Sequence, residues 1–117
     1  MRDFLRSQPA NCILLTSDRH ACGHSSYNFS GDTNTIHEFL AGPMGTGIRH
    51  TISEIVPTRG ATRVNIIWSN ASETVAAPQN DACFGSLIIN RATREATVRI
   101  IKHDQSVLYE YTLANMF

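Results

Sequence analysis

Surplus charge of either sign is missing from this sequence. Ten basic residues balance ten acidic ones in 117 residues, and charged residues make up only 17%. A nucleic-acid domain held by phosphate contacts needs a basic surplus, so that class is excluded as an expectation. A polybasic membrane-surface binder is excluded on the same ground. Long apolar runs are also missing, and none approaches the ~20 residues needed to span a bilayer. The N-terminal stretch has no secretory h-region, because Asp3, Arg6 and Pro9 interrupt it. Cysteine is scarce and odd in number: Cys12, Cys22 and Cys83 cannot all pair within one chain. Together these absences predict a cytoplasmic protein with reduced thiols. No Cys-x-x-Cys pair and no phosphate loop occurs, and no cofactor is expected. Gly42-Pro43-Met44-Gly45-Thr46-Gly47 lacks the Lys-Ser/Thr ending of such a loop and reads as a hairpin connection.

What is present is a hydrophobic fraction of 42%, enough to close one core in a single domain over residues 1–117. Turn formers recur at short intervals, as in Ser30-Gly31-Asp32, Pro57-Thr58-Arg59-Gly60 and Pro78-Gln79-Asn80-Asp81. The segments between them are short and rich in Ile, Val, Thr and aromatics. That pattern predicts about seven or eight antiparallel strands, with one short N-terminal helix near Arg2 to Arg6. The expected fold is all-β: a small antiparallel barrel, with a β-sandwich as the alternative.

The last third carries the clearest register. If Ile100 faces Tyr109, then Val98 faces Tyr111 and Arg99 meets Glu110 on the other face. On the preceding hairpin the expectation is Ile89 opposite Val98 and Leu87 opposite Ile100, with the connection in Ala92 to Glu95. The outer face of this meander would carry Ile88, Ile101 and Leu108, which predicts a cover such as the segment around Phe4 and Leu5, or a homodimer. Upstream, Cys12 to Thr16 is an apolar run suited to a buried strand. Ile36, Glu38 and Leu40 alternate with His37 and Phe39, and Val64, Ile66 and Trp68 share a face.

Polar residues on apolar faces are the candidate chemistry. His50 and Glu54 fall with Ile48, Ile52 and Val56 on one strand face. Four residues along a strand span ~13 Å, so these two cannot touch, and each needs a partner on another strand. In a barrel they would face Trp68, Tyr109 and Tyr111. His50 and Glu54 are therefore the candidate proton-moving residues, and Trp68, Tyr109, Tyr111 and His37 the candidate ligand contacts. His20, Cys22 and His24 bring two imidazoles and a thiol close together and make a rival metal reading. Their spacing matches no standard zinc site, and no metal is assigned.

The strand rhythm of Ile52-Ser53-Glu54-Ile55, then Val64-Asn65-Ile66-Ile67-Trp68, then three paired strands resembles the small calycin-type barrels. This lipocalin-like group includes MoaF-type proteins and phenolic acid decarboxylases, and the resemblance covers Tyr27 to Leu113. The Gly-x-Trp signature of true lipocalins is absent. The resemblance implies a small apolar or aromatic ligand inside the barrel, and no catalytic residue is carried over. The expected function is small-molecule binding, with acid/base chemistry of the isomerase, cyclase or lyase kind. The alternative is a non-enzymatic interaction module (inhibitor, immunity or accessory protein) that uses the outer face of the C-terminal sheet.

Overall fold

The computed structural model describes residues 4, 7, 11–17, 22–28, 35–42, 63–69 and 83–116. Of the expected N-terminal helix only Phe4 is described, and the strand expected to carry His50 and Glu54 lies outside the described residues. Among the described residues the fold is all-β. Seven strands occur: β1 (Cys12–Thr16), β2 (Cys22–Asn28), β3 (Ile36–Ala41), β4 (Arg63–Ser69), β5 (Cys83–Asn90), β6 (Glu95–Lys102) and β7 (Val107–Leu113). They form a four-stranded sheet of order β1-β3-β2-β4 and a three-stranded sheet of order β5-β6-β7. No described pairing closes the two into a barrel, and no helix of the described residues is long and apolar enough to cross a membrane.

One pairing departs from the antiparallel expectation. β1 runs parallel to β3, with Ile13 beside His37 and Leu15 beside Phe39. β2 lies between β3 and β4 and is antiparallel to both. The β2–β4 ladder slips at a bulge between His24 and Ser25, so Trp68 pairs with His24 while Ile66 pairs with Ser25. An extra residue at a bulge reverses the alternation that follows it. This is why Trp68 and Ile66 do not share a face as their spacing suggested.

In the three-stranded sheet, β6 and β7 adopt the expected register, with Ile100 opposite Tyr109, Val98 opposite Tyr111 and Arg99 opposite Glu110. Arg99 and Glu110 form an exposed ion pair. The β5–β6 hairpin is offset by two residues from expectation. Leu87 faces Val98, Ile89 faces Ala96 and Gly85 faces Ile100, and the turn is residues 91–94. Asn90 holds this turn by accepting hydrogen bonds from the Ala92 and Thr93 amides on Oδ1. In the β6–β7 turn, the Ser106 amide and hydroxyl both donate to Asp104 Oδ1, which holds that carboxyl below its usual range. Gln105 takes a left-handed φ of 70° there.

The core lies between the sheets. Phe39 packs with Val98 and Leu113, and Cys22 packs with Cys83 and Ile100. The sheets approach closely at Gly85, where an added Cβ would stand 3.1 Å from the Ala41 Cβ. Beyond that contact β5 overhangs. Leu87 and Ile89 lie on the inward side of their sheet, yet Ile89 is 56% exposed. Phe84 and Ile88 are exposed on the outward side, whereas Ile101 and Leu108 are half-buried.

Candidate functional site

The polar centre of the molecule is His24. The structure places it in β2, which is buried along almost its whole length. Rings from β3 of its own sheet and from β7 of the opposite sheet cover His24. It is 0% exposed. Its Nδ1 lies 2.9 Å from the Tyr109 hydroxyl, and its Nε2 lies 2.9 Å from His37 Nδ1. Two imidazoles and a phenol thus form one continuous hydrogen-bonded relay across both sheets.

Aromatic rings enclose this relay. Phe39, directly opposite His24 in the β2–β3 ladder, stacks on its ring at 4.0 Å. Tyr111 meets the His24 ring edge-on at 4.5 Å. Trp68 stacks on Tyr109 at 4.6 Å with only 10° between planes. Such ring pairs contribute about 0.5–1.5 kcal/mol each beyond their buried area. They also fix the two nitrogens of His24 in line with their partners.

Burial sets the protonation states. Loss of solvation, and secondarily the neighbouring His37, push His24 down from 6.5 to about 3. Burial also lowers His37. Burial first, and Tyr111 second, push Tyr109 up to about 12. At neutral pH both rings are neutral and the phenol keeps its proton. Each facing pair then shares one hydrogen, so the relay has two polarities. In one, Tyr109 donates to His24 and His24 donates to His37. In the other, His37 donates to His24 and His24 donates to Tyr109. A proton entering at one end and leaving at the other switches the polarity without leaving a buried charge.

Of the residues singled out in the sequence, Trp68, Tyr109, Tyr111 and His37 all converge on His24. His50, Glu54 and His20 lie outside the described residues. His24 itself reads in the sequence as a metal-ligand candidate. Cys22 is in β2 but belongs to the apolar cluster with Cys83 and Ile100. Among the described residues no group of three His, Cys, Asp or Glu side chains could hold a metal ion.

A cleft of about 180 Å³ opens to water beside this cluster, lined by Leu15, Thr16, Ser17, Phe39, Ala41, Gly85, Val98 and Ile100. Its walls are apolar, and Ser17 adds a hydroxyl. Phe39 is shared: it lines the cleft and also stacks on His24. Compared with known proteins, the chain matches no family model, no curated sequence and no solved structure.

Proposed function

We propose that this protein binds a small apolar or aromatic molecule in the cleft between its sheets. The observation that carries the reading is the cleft itself, with an apolar lining and the Ser17 hydroxyl at its wall to orient a ligand. Its volume suits a molecule the size of a single ring. The ligand space is thus a gap between two open sheets, where the lipocalin-like resemblance implies the bore of a closed barrel.

The enzymatic part of the reading, an isomerase, cyclase or lyase using acid/base chemistry, rests on the Tyr109–His24–His37 relay. The Phe39 ring stands between His24 and the cleft, so proton transfer to a ligand there requires that ring to swing aside. His50 and Glu54 keep their proposed role as the proton-moving groups. A reduced cytoplasmic setting accompanies this reading, supported by three cysteines that are thiols and not disulfides.

The test is binding of phenol, indole and cyclohexanone, followed by thermal shift and by the fluorescence of Trp68. Leu15 lines the cleft from an exposed edge position, so Leu15→Trp fills the opening without disturbing the core. Binding by the wild type and loss of it in Leu15→Trp is the expected result. Equal binding by both proteins overturns the site.

A second reading is an interaction module without a ligand. It is favoured by β5, a strand at the edge of the described sheet that exposes Phe84, Leu87, Ile88 and Ile89. The occupant proposed is a second copy of the chain. Cys83–Asn90 carries no charged residue, so antiparallel pairing of β5 with its counterpart sets no like charges against each other. Sedimentation of the wild type as a dimer and of Ile88→Lys as a monomer is the expected outcome; a monomeric wild type removes this reading.

A further inference from the structure

The face of the four-stranded sheet turned away from His24 carries a second polar group. Ser25 is directly opposite Glu38 in the β2–β3 ladder, so their side chains leave the sheet side by side. Their Cβ atoms are therefore about 4.5–5.5 Å apart. Two hydroxyls hold the Glu38 carboxylate: Thr16 Oγ1 donates to Oε1 at 3.2 Å, and the Tyr27 hydroxyl donates to Oε2. Both donors are neutral. Among the described residues no Lys, Arg or His side chain forms an ion pair with Glu38, and the ion pair found is Arg99–Glu110.

Ser25 shows a second deficit at the same place. It is 2% exposed, and its hydroxyl makes no hydrogen bond. Folded proteins leave few buried polar atoms in that condition. Among the described residues, an oriented carboxylate without a counter-charge therefore lies next to a buried hydroxyl without a partner.

One chemical group answers both deficits. A primary ammonium brings a single positive charge and three N–H donors. It can donate to a remaining lone pair of the Glu38 carboxylate and to Ser25 Oγ at once. A divalent cation is a poorer match, since one carboxylate supplies too few charged oxygens for it. A guanidinium is also poorer, because its planar fork seeks both carboxylate oxygens, and each already accepts a hydroxyl. We propose that Glu38 and Ser25 form a binding site for a primary ammonium group. Glu38 supplies the charge and Ser25 the second acceptor, while Thr16 and Tyr27 hold the carboxylate in place. The site lies across the sheet from the relay and does not depend on the function assigned to the cleft.

The test is a titration of the full chain with butylammonium chloride, followed by the backbone amide NMR signals of Ser25 and Glu38. Saturable shifts at these residues are expected, with none from tetramethylammonium, which has the charge but no donor. Glu38→Gln should weaken binding about tenfold or more, as expected when a charged hydrogen-bond partner is lost. Ser25→Ala removes only an unpartnered hydroxyl, so it should fold as the wild type does and weaken binding several-fold. An arm with a capped lysine amide separates the two sources of such a group: tighter binding than butylammonium points to a protein lysine, weaker binding to a free amine. Equal shifts from sodium chloride or tetramethylammonium overturn the proposal, as does unchanged affinity in both variants.

Discussion

His24 Nε2 lies 2.9 Å from His37 Nδ1, so only one of the two facing nitrogens carries a hydrogen. A second proton in this contact would set two donors against each other inside the core. The buried pair is stable only as neutral imidazoles, and this makes the fold sensitive to acid.

The sign of that sensitivity follows from His24. Its folded value, about 3, lies below the ordinary 6.5, so the unfolded chain binds the proton more readily between those limits. The associated stability is fully present above pH 6.5 and is lost as pH falls towards 3. The slope is about 1.4 kcal/mol per pH unit while His24 alone titrates. Urea unfolding midpoints from pH 8 to pH 4 should be flat above pH 7 and fall below 6.5. A midpoint that stays level down to pH 4 contradicts a buried neutral His24.

Tyr109→Phe removes the hydroxyl that His24 Nδ1 faces and keeps the ring that Trp68 stacks on. A buried nitrogen left without its partner costs about 1–3 kcal/mol. Chemical denaturation should show that loss, and the ¹⁵N shifts of His24 should report a changed tautomer balance. Unchanged stability and unchanged shifts would place Tyr109 outside the relay.

Gly85→Val tests the junction between the sheets. The new side chain would meet Ala41 Cβ at 3.1 Å from its first atom, and a Cβ has no torsion by which it can fold away. A loss of about 1–3 kcal/mol is expected, typical of overpacking. Ser86→Val, one position along and outward-facing, should cost far less. Equal effects of the two substitutions would mean that the sheets are not in contact at Gly85.

Gln105→Gly acts on the β6–β7 turn. Gln105 has a φ of 70°, a conformation that glycine adopts without a Cβ penalty. The replacement should raise stability by a few tenths of a kcal/mol up to about 1. Thermal unfolding measures it, and a clear destabilisation would argue against the left-handed turn.

The legible parts of the sequence were those where two independent signals agreed. The β6–β7 register is fixed twice, by Tyr109 and Tyr111 against Ile100 and Val98, and by Arg99 against Glu110. The β5–β6 register had one signal only. A shift of two residues keeps Leu87 and Ile89 on the same side, so alternation cannot choose between the two pairings. What distinguishes them is Gly85, whose missing side chain lets β5 approach Ala41; the sequence shows the glycine but not its neighbour. The convergence of Trp68, Tyr109, Tyr111 and His37 was foreshadowed by their strand faces. Their centre, His24, is hidden because β2 has no apolar alternation and carries a glycine, which has low strand preference, beside it. Its ring is enclosed by Phe39 and His37 of β3 and by Tyr109 and Tyr111 of β7, and β7 lies about eighty residues away in sequence. The parallel β1–β3 pair was equally hidden, since a short apolar run carries no sign of its partner's direction.

His37 and Glu38 are consecutive residues of β3 that serve opposite sides of one sheet. One peptide unit therefore separates an imidazole that must stay neutral from a carboxylate anchored by two hydroxyls. The register of β3 acts as an address for both. Inserting or deleting a single residue in Ile36–Ala41 would exchange their destinations, setting a charge against His24 and an imidazole beside Ser25. β3 is thus the strand where length, more than the identity of any one side chain, is under constraint.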